Sequence, residues 1–185
     1  MTQPTDTRYS TPAMALHWLL ALALLISFGV GLYMADLPVS PQRLKLYNWH
    51  KWAGVTILLL SAVRLAWRLT HRPPAELPAP AWQQRAAHWT HRTLYLLFFA
   101  VPLAGWAYSS AAGFPVVWFG VLPLPDFVSA DKVLAEAIKP LHGALAWALA
   151  ALAGVHIGAA LKHHFIDRDG LLTRMLPRWK RNQTT

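Results

Sequence analysis

A chain of 185 residues with no cysteine and a formal charge of +9 has room for one domain, and it excludes disulfide frameworks, thiolate metal sites and cysteine nucleophiles. Only 14% of its residues are charged while 55% are hydrophobic, and soluble domains carry charge on about a quarter of theirs. Lipid is therefore the first expectation and nucleic acid is not, although the isoelectric point is near 10.4.

The first apolar stretch, residues 12–34, has no charged side chain. At 1.5 Å rise per residue it covers about 30 Å or more, enough to cross a bilayer core. A cleavable signal peptide fits poorly, because the stretch is long and Asp36-Leu37-Pro38 follows it in place of a small-residue cleavage site. The second stretch, 46–69, contains His50, Lys51, Arg64 and Arg68, with Trp49, Trp52 and Trp67 near its ends where interfacial aromatics belong. The third covers 86–110 and the fourth 138–164. Pro-rich linkers separate them, from Arg72 to Pro80 and from Phe114 to Pro125. The expected fold is an all-α integral membrane four-helix bundle, one domain over residues 1–185.

Four spans put both termini on one side. That side, with its helix ends, holds Arg8, Arg64, Arg68, Arg72, Arg85, Arg92, Lys162, Arg168, Arg174, Arg178, Lys180 and Arg181. The other holds Arg43, Lys45, Lys51, Lys132 and Lys139, and the eight acids divide equally. The positive-inside rule then places both termini in the cytoplasm, and most of the basic charge is topology information.

An ionisable side chain inside a span is costly and is a functional candidate by default. At the outer level the available histidines are His50 and His142; at the inner level they are His17, His88, His91, His156, His163 and His164. His142 and His156 are fourteen residues apart, within about 40° of four full turns, so both project from one helix face about 21 Å apart. That spacing suits two stacked haems. His50 is the outer partner by elimination; His17 is preferred for the inner one, with His91 as its rival by depth. Gly31, fourteen residues after His17, leaves the first helix bare at the outer level, and Gly54, Gly143, Gly154 and Gly158 lie close to the proposed ligands. Arg64 lies fourteen after His50 with no acid at its depth; a haem propionate would supply an anion, and snorkelling to the headgroups is the alternative. His163-His164 and the His88/His91 pair would bind metal weakly or relay protons.

These residues resemble the prokaryotic cytochrome b561 family, and within it the superoxide oxidase branch. The resemblance runs over nearly the whole chain: Leu16-His17-Trp18, Trp49-His50-Lys51 with Gly54 and Arg64, Ala87-His88-Trp89-Thr90-His91, Leu141-His142, Val155-His156, Lys162-His163-His164-Phe165, Asp169-Gly170-Leu171-Leu172 and Arg174-Met175-Leu176-Pro177. It implies a bacterial inner-membrane protein with two haem b groups between its helices. Their axial ligands would be His17 with His156 and His50 with His142. Bis-histidine ligation leaves iron no open position, so one-electron transfer is the implied chemistry.

The superoxide oxidase branch oxidises superoxide at the periplasmic side and passes electrons to ubiquinone. Lys51 and Lys132, among the five outer cations, are candidates to steer the superoxide anion. By resemblance, His163 is placed at the ubiquinone site, with Lys162, His164 and Trp18 as neighbours, where it would handle protons. The alternative is an electron-transfer module that links the quinone pool to a separate dehydrogenase or periplasmic redox protein.

Overall fold

A computed structural model describes residues 8–177; Arg178, Lys180 and Arg181, counted above for topology, lie outside them. Four long helices, α1 (Thr11–Ala35), α2 (Pro41–Thr70), α3 (Ala81–Ala111) and α4 (Lys132–Lys162), are each long and apolar enough to cross a membrane. The chain is an all-α integral membrane bundle.

The helices begin earlier than the apolar stretches because polar turns start them. Ser40 accepts a hydrogen bond from the Arg43 N–H at 3.2 Å, just ahead of Pro41, so α2 starts five residues before 46. Asp131 accepts from the Val133 and Leu134 amides at 2.8 and 3.1 Å, so α4 starts six residues before 138. Both helices extend beyond the apolar lengths that hydropathy alone reads.

Neighbours in sequence pack in space: α1 on α2, α2 on α3, α3 on α4. The centre is built on Leu94 and Leu97 of α3 and Leu149 of α4. Small side chains line the contacts, with Ser27, Ser61, Ser109 and Ser110 all buried, and they let backbones approach where lipid gives no hydrophobic drive to association. Leu22, Leu25 and Ile26 on α1, and Val155 and Ile157 on α4, stay exposed, as surfaces facing acyl chains should. Pro102 interrupts α3 and Pro140 interrupts α4. A Cβ placed on Gly54 of α2 would lie 3.9 Å from the Pro102 ring, an ordinary contact between α2 and α3.

The outer linker between α3 and α4 carries a short hairpin, β1 (Val117–Trp118) and β2 (Leu122–Pro123), antiparallel with Trp118 opposite Leu122. Its turn needs left-handed backbone at Phe119 (φ 51°) and Gly120 (φ 73°). Three side chains of α2 fix it. The Trp52 Nε1–H donates to the Val117 carbonyl at 2.6 Å, Lys51 Nζ to the Pro115 carbonyl at 3.2 Å, and Thr56 Oγ1 accepts from the Trp118 indole at 3.3 Å.

At the inner end, α4 runs into a π-helical turn (His163–Asp167), and positive φ at Arg168 and Gly170 turns the chain back under the bundle. The returning segment binds the other inner ends. Trp18 Nε1–H donates to the Met175 carbonyl at 2.7 Å, the Tyr9 amide to the Arg174 carbonyl at 3.2 Å, and Arg174 to the Ala75 carbonyl at 2.8 Å. The two ends of the described chain therefore meet on one side.

Candidate functional site

The bundle brings the intramembrane histidines together as two pairs, each reaching from α4 to a different helix. His50 of α2 faces His142 with ring centres 6.1 Å apart and planes at 87°. His17 of α1 faces His156 with ring centres 6.2 Å apart and planes at 74°. Two metal–imidazole bonds of about 2.0 Å in line, plus about 1.1 Å from each nitrogen to its ring centre, put bis-imidazole ring centres about 6.2 Å apart. Both pairs have the separation that an iron between them needs, so the donor set fits haem.

The outer pair is oriented from behind. His50 Nδ1 lies 3.1 Å from the Ser27 carbonyl and 3.3 Å from its hydroxyl, and His142 Nδ1 lies 3.0 Å from the Val101 carbonyl. A carbonyl accepts only, so Nδ1 carries the proton in each ring and Nε2 keeps the free lone pair that a metal would need. Two glycines make room. A Cβ on Gly31 would stand 3.1 Å from His50 Cε1, and one on Gly105 would stand 2.9 Å from His142 Cε1. The bare face expected at Gly31 is thus filled by the His50 ring itself. Gly143, Gly154 and Gly158 meet no protein atom within 4 Å at a Cβ position, so helix packing among the described residues does not account for them.

At the inner level His91 is also close, its ring centre 5.4 Å from that of His156 at 68°. That separation is too short for an in-line iron, and His91 is exposed on α3 while His17 and His156 are partly buried. Arg64 donates its Nε–H to the Tyr95 hydroxyl at 3.0 Å, and its guanidinium lies 5.7 Å from the Tyr95 ring centre. Its Nη1 is buried without a hydrogen-bond partner among the described residues.

Lys51 is half-buried with its ammonium turned onto the Pro115 carbonyl, and Lys132 is exposed on the first turn of α4. His163 sits in a compact charged cluster: Nδ1 is 2.5 Å from Asp169 and 3.2 Å from Asp167, while Lys162 reaches Asp167 at 2.6 Å. Slight desolvation pushes the Asp169 carboxyl up, but the Leu171 amide and the His163 ring outweigh it and hold it below the ordinary carboxylate range. Ligand atoms of His163, Asp167 and Asp169 lie within 4.8 Å of one another, and Lys162 already supplies positive charge there. His88 lies 3.8 Å from Glu76 in an exposed contact.

Ser27, Val101 and Gly105 have no signal in the sequence read alone. Each acts through its position across the bundle, which only the packing of α1 on α2 and α3 on α4 defines.

The family model described as prokaryotic cytochrome b561 matches residues 8–178. The chain is 36% identical over 174 residues to cytochrome b561 homolog 2 of Escherichia coli (strain K12), covering 93% of each. It is 33% identical over 177 residues to cytochrome b561 homolog 1 of the same organism, covering 94% of this chain and 99% of that one. It is 32% identical over 173 residues to the probable superoxide oxidase CybB of Yersinia pestis, covering 92% of this chain and 97% of that one.

Proposed function

Because this chain belongs to the prokaryotic cytochrome b561 family of bacterial membrane electron-transfer proteins, which implies haem b, we propose that it is a superoxide:ubiquinone oxidoreductase holding two b haems. The observation that carries this reading is the pair of histidine couples at 6.1 and 6.2 Å, stacked along α4. His50 and His142 hold the outer haem, His17 and His156 the inner one. Bound haem b would supply a one-electron centre, and with a histidine on each side of it the chemistry would be electron transfer.

Around it the chain's own residues orient, attract and protonate. The Ser27 and Val101 carbonyls hold the outer imidazoles in one tautomer. The Arg64 guanidinium, whose buried Nη1 has no hydrogen-bond partner among the described residues, would donate to a propionate of the inner haem. Lys51, which donates to the Pro115 carbonyl, and Lys132 raise the local concentration of superoxide at the periplasmic mouth. At the cytoplasmic end His163, held by Asp169 and Asp167, delivers protons to ubiquinone. The balance closes: two superoxide anions give up two electrons and leave as dioxygen, and ubiquinone takes those electrons with two protons. Both termini face the cytoplasm, and the membrane is the bacterial inner membrane.

Stopped-flow mixing of the oxidised holoprotein with superoxide tests the reading. Rapid haem reduction, reversed on adding ubiquinone, is expected. Haems that ubiquinol reduces but superoxide does not would overturn it in favour of a module serving a separate dehydrogenase or periplasmic redox partner.

A further inference from the structure

Three buried side-chain polar atoms lack a hydrogen-bond partner among the described residues: Ser61 Oγ, Arg64 Nη1 and Trp106 Nε1. Buried polar groups are nearly always paired, so each needs an explanation. A serine hydroxyl inside a helix can turn onto its own preceding carbonyl, and Arg64 has been given its anion. An indole N–H cannot do the same: it only donates, and its direction is fixed by the ring.

The packing locates Trp106. Pro102, one turn before it on α3, lies under Gly54 of α2, where an added Cβ would stand 3.9 Å from its ring. The helices run antiparallel, so one turn outward from Pro102 is Trp106 and one turn outward from Gly54 is His50. The preceding residue of α3, Gly105, faces the His142 ring, and the Val101 carbonyl holds that ring's Nδ1 at 3.0 Å. Trp106 thus stands level with the outer histidine pair, between α2 and α4. Phe127 of the outer loop closes over it edge-on, with ring centres 5.2 Å apart at 77°.

We propose that the Trp106 indole N–H is the hydrogen-bond donor to a propionate of the outer haem, as Arg64 is at the inner one. The inference rests on the two-haem reading. A neutral donor here and a cation there treat the two propionates differently. Both withdraw carboxylate charge from the iron and favour its reduced state, the cation more strongly.

The test is redox titration of the holoprotein beside Trp106→Phe, which keeps an aromatic ring and loses the N–H. The outer haem is identified as the one missing from His142→Ala. Trp106→Phe is expected to lower the midpoint potential of that haem alone, to shift its propionate vibrational bands, and to leave both haems bound. Trp106→His, which keeps a ring N–H, is expected to recover much of the shift. Two bound haems with unmoved potentials and unmoved propionate bands in Trp106→Phe would overturn the inference alone. A wild-type protein holding one haem would overturn the two-haem reading and this inference with it.

Discussion

At the scale of single residues, two missing side chains matter as much as the histidines. Gly105→Ala would put a methyl group 2.9 Å from the His142 ring, and Gly31→Ala would put one 3.1 Å from His50. Overpacking of this kind costs about 1–3 kcal/mol. Gly105→Ala should lower the haem-to-protein ratio from two toward one in a pyridine haemochrome assay, and Gly31→Ala should do so less. Ring orientation gives a second prediction. Planes at 87° and 74° leave the two π-acceptor iron orbitals nearly equivalent, so ferric protein should give widely anisotropic low-spin electron paramagnetic resonance signals from both sites. Rhombic signals typical of parallel imidazoles would contradict the pairing. Histidines in apolar stretches were legible because ionisable groups there are expensive. Gly105 and Trp106 were not, since glycine and tryptophan are ordinary in membrane helices and gain meaning only beside His142 and His50.

Among the elements, the outer hairpin departs most from a plain reading of the chain. Residues 114–125 look like a Pro-rich linker, because strands of two residues are too short to show alternation. What makes a hairpin of them is α2, through Lys51, Trp52 and Thr56. Trp52→Phe removes the donor to Val117 and should cost about 0.5–1.5 kcal/mol locally. Amide exchange over 114–123 should quicken while the haem spectrum stays as it was. The inner π-helical turn carries a pH prediction. Asp169 has a carboxyl held below its ordinary value, so it stabilises the returning segment above about pH 4 and that contribution fades as pH falls through the lowered value. Asp169→Asn should flatten the acid side of a thermal-unfolding profile and, if His163 delivers protons, slow ubiquinone reduction. The caps at Ser40 and Asp131 were readable in type but not in reach, since hydropathy marks the lipid-facing length and not the helix.

For the whole molecule, each histidine pair joins helices that are not neighbours in the chain and have few close backbone approaches. Direct packing runs α1 to α2, α2 to α3 and α3 to α4, while the pairs reach from α1 and α2 to α4. A ligand that binds both partners stabilises the folded bundle by mass action. His142→Ala combined with His156→Ala should therefore leave a chain that inserts but is cut readily by protease in detergent, and haem-starved wild-type protein should share that sensitivity. The order of helices and their side of the membrane follow from apolar lengths and charge. For the outer pair the partner helix follows from depth and elimination; for the inner pair depth leaves His91 beside His17, and only the family resemblance favours His17, because no local rule links His17 to a residue so far along the chain.

Both pairs share α4, and this has a consequence for speed. His142 and His156 are separated by one continuous helix, about 21 Å at 1.5 Å per residue. Tunnelling falls off exponentially with distance, and the distance here is set by helical rise, so rocking of α1 or α2 changes the angle of a ligand more than the gap an electron must cross. Adding four residues between Ala146 and Leu152 would keep both imidazoles near the same face while lengthening the gap by about 6 Å. Because α1 and α2 keep their lengths, His156 would then stand about 6 Å off the level of His17, and under the two-haem reading the protein should hold one bis-histidine site in place of two: α4 is the molecule's ruler as well as its frame.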